Sequence, residues 1–302
     1  MAIGYRCDGC SIVRADRWRG TCPGCGGFYS IRRTATSVEG AEEGPPPRGQ
    51  LVSLNDVTAA TLERISCGFA GVDKILGTDP VTGLSGIAAK GGQAIQIYGA
   101  PGVGKSSWLI QVAQNLAKQR YPTLYVIGEE SIMQVKARAD RIIKKIHKNL
   151  VCIEETDLDA ILYQLDEVRP TVAVIDSINT VAVEDYAAGS TSAMRIAARE
   201  LYKFTQTNGI CLILVVQMNK AGDDFTGPKE LEHIVDTSLF FTLDRKGRRV
   251  LRCDTKNRFG STPAEQLFEM RENGLFEIDD VPEEPPAPPT TTPEPPVLRS
   301  VP

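Results

Sequence analysis

The run Gly99-Ala100-Pro101-Gly102-Val103-Gly104-Lys105-Ser106-Ser107 fits G-x-x-x-x-G-K-[ST] and narrows the fold more than any other stretch of the chain. Before it, Ala94-Ile95-Gln96-Ile97-Tyr98 is a short apolar run that reads as a buried strand. After it, Trp108, Leu109, Val112, Ala113 and Leu116 recur at helical spacing. A phosphate loop needs this strand, loop, helix setting. Its glycines let the backbone curl so that successive N–H groups converge at a helix N-terminus, where an anion is stabilised. In that setting Gly99–Ser107 cradle the phosphates of ATP, Lys105 reaches the β and γ phosphates, and Ser106 holds magnesium.

Cys7-x-x-Cys10 and Cys22-x-x-Cys25 are two thiolate pairs among small residues. Two such knuckles complete a four-sulfur zinc site, closed and therefore structural. Few large apolar side chains surround them, so the metal would supply folding energy that a core cannot. A disulfide framework fits less well, because the rest of the chain reads as intracellular. Cys67, Cys152, Cys211 and Cys253 stand singly and read as reduced thiols.

At 302 residues and 42% hydrophobic, the chain can build one sizeable core and a small appendage. No apolar stretch approaches the ~20 residues of a membrane span, and charges run through the first twenty residues; a cytoplasmic protein without membrane partners is expected. The net charge of −4 carries no overall signature of nucleic-acid binding. Its distribution says more: residues 1–33 hold six Arg against two Asp, and 277–302 hold six acids against one Arg. We read a zinc ribbon over 1–33, a linker over 34–62, an α/β domain over 63–278 and a disordered, acidic, Pro-rich tail over 279–302. Within the α/β domain, strands at 94–98, 123–127, 150–153, 171–175 and 210–216 alternate with helices near 105–119, 131–146, 157–168 and 191–207. That order predicts a mainly parallel sheet with helices on both faces. The segments 237–243, 248–254 and 265–270 read as hairpins extending it.

Val172-Ala173-Val174-Ile175-Asp176 is an apolar run ending in an acid, as in the strand that holds magnesium through its terminal carboxylate. Ser177 after it could cap the next element or touch the nucleotide, and capping is the expectation. Thr123–Ile127 runs into Gly128-Glu129-Glu130, where a carboxylate can polarise the water that attacks the γ-phosphate. Either acid could instead start the following helix. Gln217 ends a further strand, either as a sensor of the γ-phosphate or as simple strand termination.

Several phrases, taken in order, carry a resemblance. They are Tyr5-Arg6-Cys7 with the four-cysteine ribbon, Arg64-Ile65-Ser66-x-Gly68, the phosphate loop and Gly128-Glu129-Glu130-Ser131. Gln134-Val135-Lys136-x-Arg138-Ala139-Asp140-Arg141, Leu231-Glu232-His233-x-Val235-Asp236 and Lys256-Asn257-Arg258-Phe259-Gly260 follow. Together they resemble the bacterial RadA (Sms) family of recombination ATPases, relatives of RecA and of DnaB-type helicases. The resemblance implies a RecA-like P-loop ATPase fold, hexameric rings around single-stranded DNA, and branch migration of recombination intermediates. It assigns Glu129 as the catalytic glutamate, Asp176 as the magnesium ligand and Gln217 as the γ-phosphate sensor. Lys256 and Arg258 would act on the ATP of the neighbouring subunit. Three departures stand out. A proline-rich tail replaces the family's Lon-protease-like C-terminal domain, Gln217 replaces a histidine, and residues 77–93 exceed the family's turn.

In the family, DNA contacts come from the loops after the magnesium-binding strand and the sensor strand. Here Ser190 and Arg195 in the first, and Lys220 and Lys229 in the second, are the candidates. The ribbon's Arg6, Arg14, Arg17 and Arg19, with Trp18 among them, form a basic surface for DNA or for a recombinase or replication partner, and the tail is a second candidate partner site. The expected function is an ATP-dependent motor on single-stranded or branched DNA, a helicase or branch-migration translocase. The alternatives are an ATP-gated mediator that binds single-stranded DNA without translocating, and a RecA-like ATPase acting on protein partners.

Overall fold

The computed structural model describes residues 4–7, 9–10, 13–14, 22, 25, 31–34, 63–89, 91–184, 186–218 and 226–279. The linker reading, the tail from 280 onward, Lys220, and Arg17, Trp18 and Arg19 of the ribbon lie outside them. At the N-terminus, β1 (Gly4–Cys7) pairs antiparallel with both β2 (Val13–Arg14) and β3 (Ile31–Thr34) in a small sheet of its own.

The larger unit opens with β4 (Arg64–Ile65), α1 (Ala70–Leu76) and β5 (Ile87–Ala88), β4 pairing with β5. It continues with β6 (Ala94–Gly99), α2 (Lys105–Lys118), β7 (Thr123–Ile127), α3 (Ile132–Ile142), β8 (Leu150–Glu154) and α4 (Leu158–Val168). Next come β9 (Val172–Asp176), a 3-10 turn at Ile178–Thr180, α5 (Thr191–Asn208), β10 (Cys211–Gln217) and α6 (Thr226–Glu232). β11 (Thr237–Leu243), β12 (Arg249–Cys253), β13 (Ala264–Arg271) and β14 (Gly274–Ile278) close the chain's described part. The sheet order is β14-β13-β12-β11-β6-β10-β9-β7-β8. Strands β6 to β11 run parallel, and β12 to β14 extend the sheet antiparallel, as the sequence predicts for the hairpin segments.

Every residue of β6 and β7 is buried, because both faces of the sheet are covered; this is why their apolar runs show no alternation. One face packs against α2 and α1. There Phe69, Trp108, Phe241 and Phe268 interlock with ring centroids between 5.7 and 6.5 Å apart, mostly edge to face. The other face packs against α4 and α5 through Leu162, Leu165, Leu201 and Phe204. Two side chains tie α1 into this frame. Glu277 of β14 accepts from the amides of Gly71 (2.9 Å) and Val72 (3.1 Å), doing what the N-cap Phe69 cannot. Asp73 accepts from the Cys67 amide at 2.7 Å and from the Ser66 hydroxyl, which fixes the Arg64–Gly68 phrase.

One helix is shorter than its sequence pattern. The expected helix 131–146 stops at Ile142, where Ile143 turns extended. The buried Gln114 of α2 is the reason. Its Nε2 donates to the Lys145 carbonyl at 2.7 Å, and its Oε1 accepts from the His147 amide at 3.0 Å, drawing that backbone out of the helix.

Candidate functional site

The parallel strands deliver the predicted residues to one edge. β10 lies between β6 and β9, and Gln217 stands opposite Gly99, while Ile127 of β7 stands opposite Asp176. Glu129 follows two residues after Ile127. Pro101, Gly102, Lys105, Ser106, Tyr125, Glu129, Glu130, Arg138, Asp176 and Gln217 thus line one cleft of about 420 Å³.

The phosphate loop itself is held closely. A Cβ on Gly99 would lie 2.0 Å from the Phe241 carbonyl oxygen, so only glycine lets β6 turn into the loop against β11. Arg249 Nε donates to the Val103 carbonyl at 3.1 Å and buttresses the loop from β12. Lys105 begins α2, is buried, and donates from Nζ to the carbonyls of Gly99 (2.7 Å) and Ala100 (3.0 Å). Burial lowers its proton affinity, and the charges of Asp176 and Glu129 oppose that effect.

Two acids of the cleft are positioned by neighbouring side chains. Asp176 accepts from the buried Tyr125 hydroxyl at 2.6 Å, and burial with the adjacent Asp176 charge holds that phenol well above its usual range. Glu129 accepts from the Ser177 hydroxyl and from Gln217 Nε2. The expected capping role of Ser177 is therefore corrected: it makes no side-chain cap bond, and its hydroxyl orients Glu129 instead. Asn179 grips the Gln217 backbone, its Oδ1 accepting from the amide at 2.8 Å. Neither acid starts the next helix. Ser131 caps α3 in a reciprocal box with Gln134, and Glu130 pairs with Arg138. Tyr125 and Asn179 left no sequence signal, whereas Arg138 sits within a quoted motif but carried no assigned role there.

Ser106 and Asp176 offer hydroxyl and carboxylate oxygens to the same cleft, a donor set suited to magnesium beside a triphosphate. The residues fit that pair of ligands. In the N-terminal unit, the sulfurs of Cys7, Cys10, Cys22 and Cys25 all lie within 4.8 Å of one another, and the Gly9 amide donates to Cys7 Sγ at 3.3 Å. A tetrahedral zinc with bonds of ~2.3 Å separates its sulfurs by about 3.8 Å, so this cluster fits zinc.

The remaining predicted residues lie elsewhere. β12 runs antiparallel to β11, so Lys256 and Arg258 emerge where the parallel strands begin, at the edge opposite the cleft. The Ser238 amide donates to the Lys256 carbonyl at 2.9 Å. Lys256 Nζ donates to the Glu232 carbonyl at 2.5 Å, and burial, with the Arg258 charge, lowers its proton affinity. Arg258 pairs at 3.0 Å with Asp236, a buried carboxylate that also accepts from the Ala94 amide at 2.9 Å. Ser190 caps α5 by accepting from the Ala193 amide, and Arg195 stands 4.0 Å from Glu230 in an exposed pair. Lys229 sits on α6 rather than in a loop and is exposed.

β10 inserted between the phosphate-loop strand and the strand ending in Asp176, with the loop itself, defines a RecA-like P-loop fold. A KaiC-like protein from Pyrococcus horikoshii shares it, with a TM-score of 0.56 and 18% identity, covering 72% of this chain and 100% of that one. No protein-family model matches the chain. The DNA repair protein RadA of Bacillus subtilis is 35% identical over 290 residues, taking in 91% of this chain and 59% of the relative. That of Pseudomonas aeruginosa is 34% identical over 290 residues, taking in 93% and 61% respectively. The chain is similar to the RadA proteins, as the ordered motifs imply, and spans about three-fifths of their length.

Proposed function

We propose that the chain is an ATP-driven DNA motor of recombination and repair, hydrolysing ATP at an interface between copies of itself and coupling each turnover to movement on single-stranded or branched DNA. Lys105 leaves the two loop carbonyls for the β and γ phosphates, and Ser106 and Asp176 hold magnesium. The metal, once bound, offsets charge on the phosphate oxygens. Glu129 orients the attacking water and takes its proton. Lys256 and Arg258, too far from the cleft of their own chain, complete that of the next copy and stabilise charge developing on the γ-phosphate. Hydrolysis thereby depends on assembly, and a hexameric ring is the form that the resemblance implies.

The observation that carries this reading is the bonding of Glu129 to both Ser177 and Gln217. It joins the ends of three strands, so a change at the γ-phosphate reaches Gln217 and, through it, the segment containing Lys220. Arg195 stands against Glu230 of α6, the helix that carries Lys229, and Ser190 caps the helix that carries Arg195. The exposed Arg195–Glu230 pair contributes at most about 1 kcal/mol, so a DNA phosphate can compete for the arginine. The test is the steady-state ATPase rate with and without single-stranded DNA, beside a Lys105→Ala control. Stimulation that vanishes in the control supports a motor, and strand-displacement and branch-migration assays then separate it from a mediator. A rate indifferent to DNA sinks the motor reading and points to a protein client.

A further inference from the structure

The segment between α1 and β5 lies within the stretch 77–93 that is expected to exceed the family's turn, and the nucleotide cleft makes no use of it. It is a fixed hairpin. Thr78 bridges Ser85, their hydroxyl oxygens 2.8 Å apart. The buried Asp79 accepts from the amides of Val81 (2.9 Å) and Thr82 (2.7 Å) and from the Thr82 hydroxyl (3.0 Å), and its own amide donates to the Leu84 carbonyl at 2.8 Å. Such a carboxylate-centred turn holds one shape. Its tip is nevertheless apolar. Val81 is 81% exposed and Leu84 57%, and no charged residue lies between Pro80 and Gly86.

The base of the hairpin is fused to the segment that carries Lys256 and Arg258. Gly77 has φ +125°, and a Cβ there would lie 2.2 Å from the Phe259 carbonyl oxygen. Arg64 Nη1 donates to the carbonyls of Leu76 (3.3 Å) and Gly86 (3.0 Å), and its guanidinium lies 5.1 Å from the Phe259 ring centroid. Asn257 Nδ2 donates to the Ile75 carbonyl at 2.7 Å. Hairpin and basic segment are therefore one body at the edge where β6 begins. The nucleotide cleft lies at the other end of that strand, about 16 Å away along the backbone. Its rim bears a second exposed apolar pair, Ile132 (44%) and Met133 (73%), in the first turn of α3 just beyond Glu130.

We infer that the hairpin 78–85 docks on a second copy of this chain, Val81 and Leu84 seating against Ile132 and Met133 of the next copy while that copy's cleft receives Lys256 and Arg258. This rests on the shared-site reading above. Two unlike apolar patches at opposite edges of one molecule match head to tail, the heterologous contact from which rings and filaments are made. A tip without charges loses little on leaving water, and a turn already fixed loses little freedom on docking.

The test uses the full chain with magnesium and a non-hydrolysable ATP analogue. Sedimentation across a concentration series is compared for the wild type and Val81→Asp/Leu84→Asp, whose two side chains are exposed and whose melting temperature is checked. The double variant is expected to weaken self-association at least tenfold. A Val81→Cys chain mixed with a Met133→Cys chain is expected to give a bismaleimide-linked dimer that neither forms alone. If the wild type assembles but the double variant assembles equally well, or the mixed chains give no linked dimer, the hairpin inference is overturned and the shared-site reading stands. If the wild type stays monomeric throughout, both fall.

Discussion

Tyr125→Phe isolates one bond at the nucleotide cleft. The ring is buried in the core, so phenylalanine fills the same space and leaves no cavity. What is lost is the 2.6 Å bond from the phenol to the Asp176 carboxylate. Hydrogen bonds to charged groups contribute about 1.5–3 kcal/mol, and Asp176 is only partly buried, so water can replace some of it; about 1–2 kcal/mol is the expected net cost. For a domain of this size that lowers the melting temperature by roughly 2–8 °C. The second effect is on function. Asp176 loses the group that fixes its rotamer, and if it holds magnesium as proposed, the loss weakens the metal site, since outer contacts to a metal ligand typically govern affinity by about tenfold or more. The assays are thermal melting without nucleotide and a magnesium titration of ATP hydrolysis. The titration midpoint should move up about tenfold, with the maximal rate largely recovered at saturating magnesium. A variant that melts within 1 °C of the wild type and has the same magnesium midpoint would refute the reasoning, because the phenol would then be a bystander.

Two further outcomes follow from other parts of the molecule. Burial, reinforced by Glu232, pushes the Tyr98 phenol up to about 12, so the folded chain holds that proton more tightly than the unfolded one, whose value is about 10. The resulting contribution to stability is complete below pH ~10 and declines as the pH rises toward 12; urea melts across that window should show a shallower decline for Tyr98→Phe. At the N-terminus, the purified chain should carry about one equivalent of zinc, and Cys22→Ser should reduce it to a small fraction while binding of an ATP analogue persists, as read by metal analysis and by fluorescence.

The parts legible in the sequence are those where local pattern and global role coincide. β6, its loop and α2 combine a phosphate motif with an uninterrupted buried run, and no tertiary contact competes with that pattern. The ends of β7, β9 and β10 were legible for the same reason, since a polar residue closing an apolar strand must leave the sheet at its edge. What escaped the reading depends on partners distant in the chain. The stop of α3 is imposed by Gln114, and the partner of Ser177 lies 48 residues back, at Glu129. β14 also went unread, although Asn273-Gly274 ahead of Leu275 and Phe276 carries a hairpin signal; Gly274 pairs with Arg271 across the turn. The separation of Lys256 and Arg258 from the cleft is a matter of strand direction. No spacing rule in one dimension distinguishes the two edges of a sheet.

That separation gives β6 an unusual position. One end of this six-residue strand becomes the phosphate loop, and the other is clasped by Asp236, whose second oxygen holds Arg258. The strand is hydrogen-bonded on both sides, to β10 and β11, and buried at every residue. Such an element is too stiff to dissipate a push along its length; it travels or it does not. A displacement of the loop by nucleotide would therefore arrive at Arg258 as a translation of similar size. In a head-to-tail assembly each strand would act as a short push-rod, with the state of one cleft setting the reach of the arginine offered to the next.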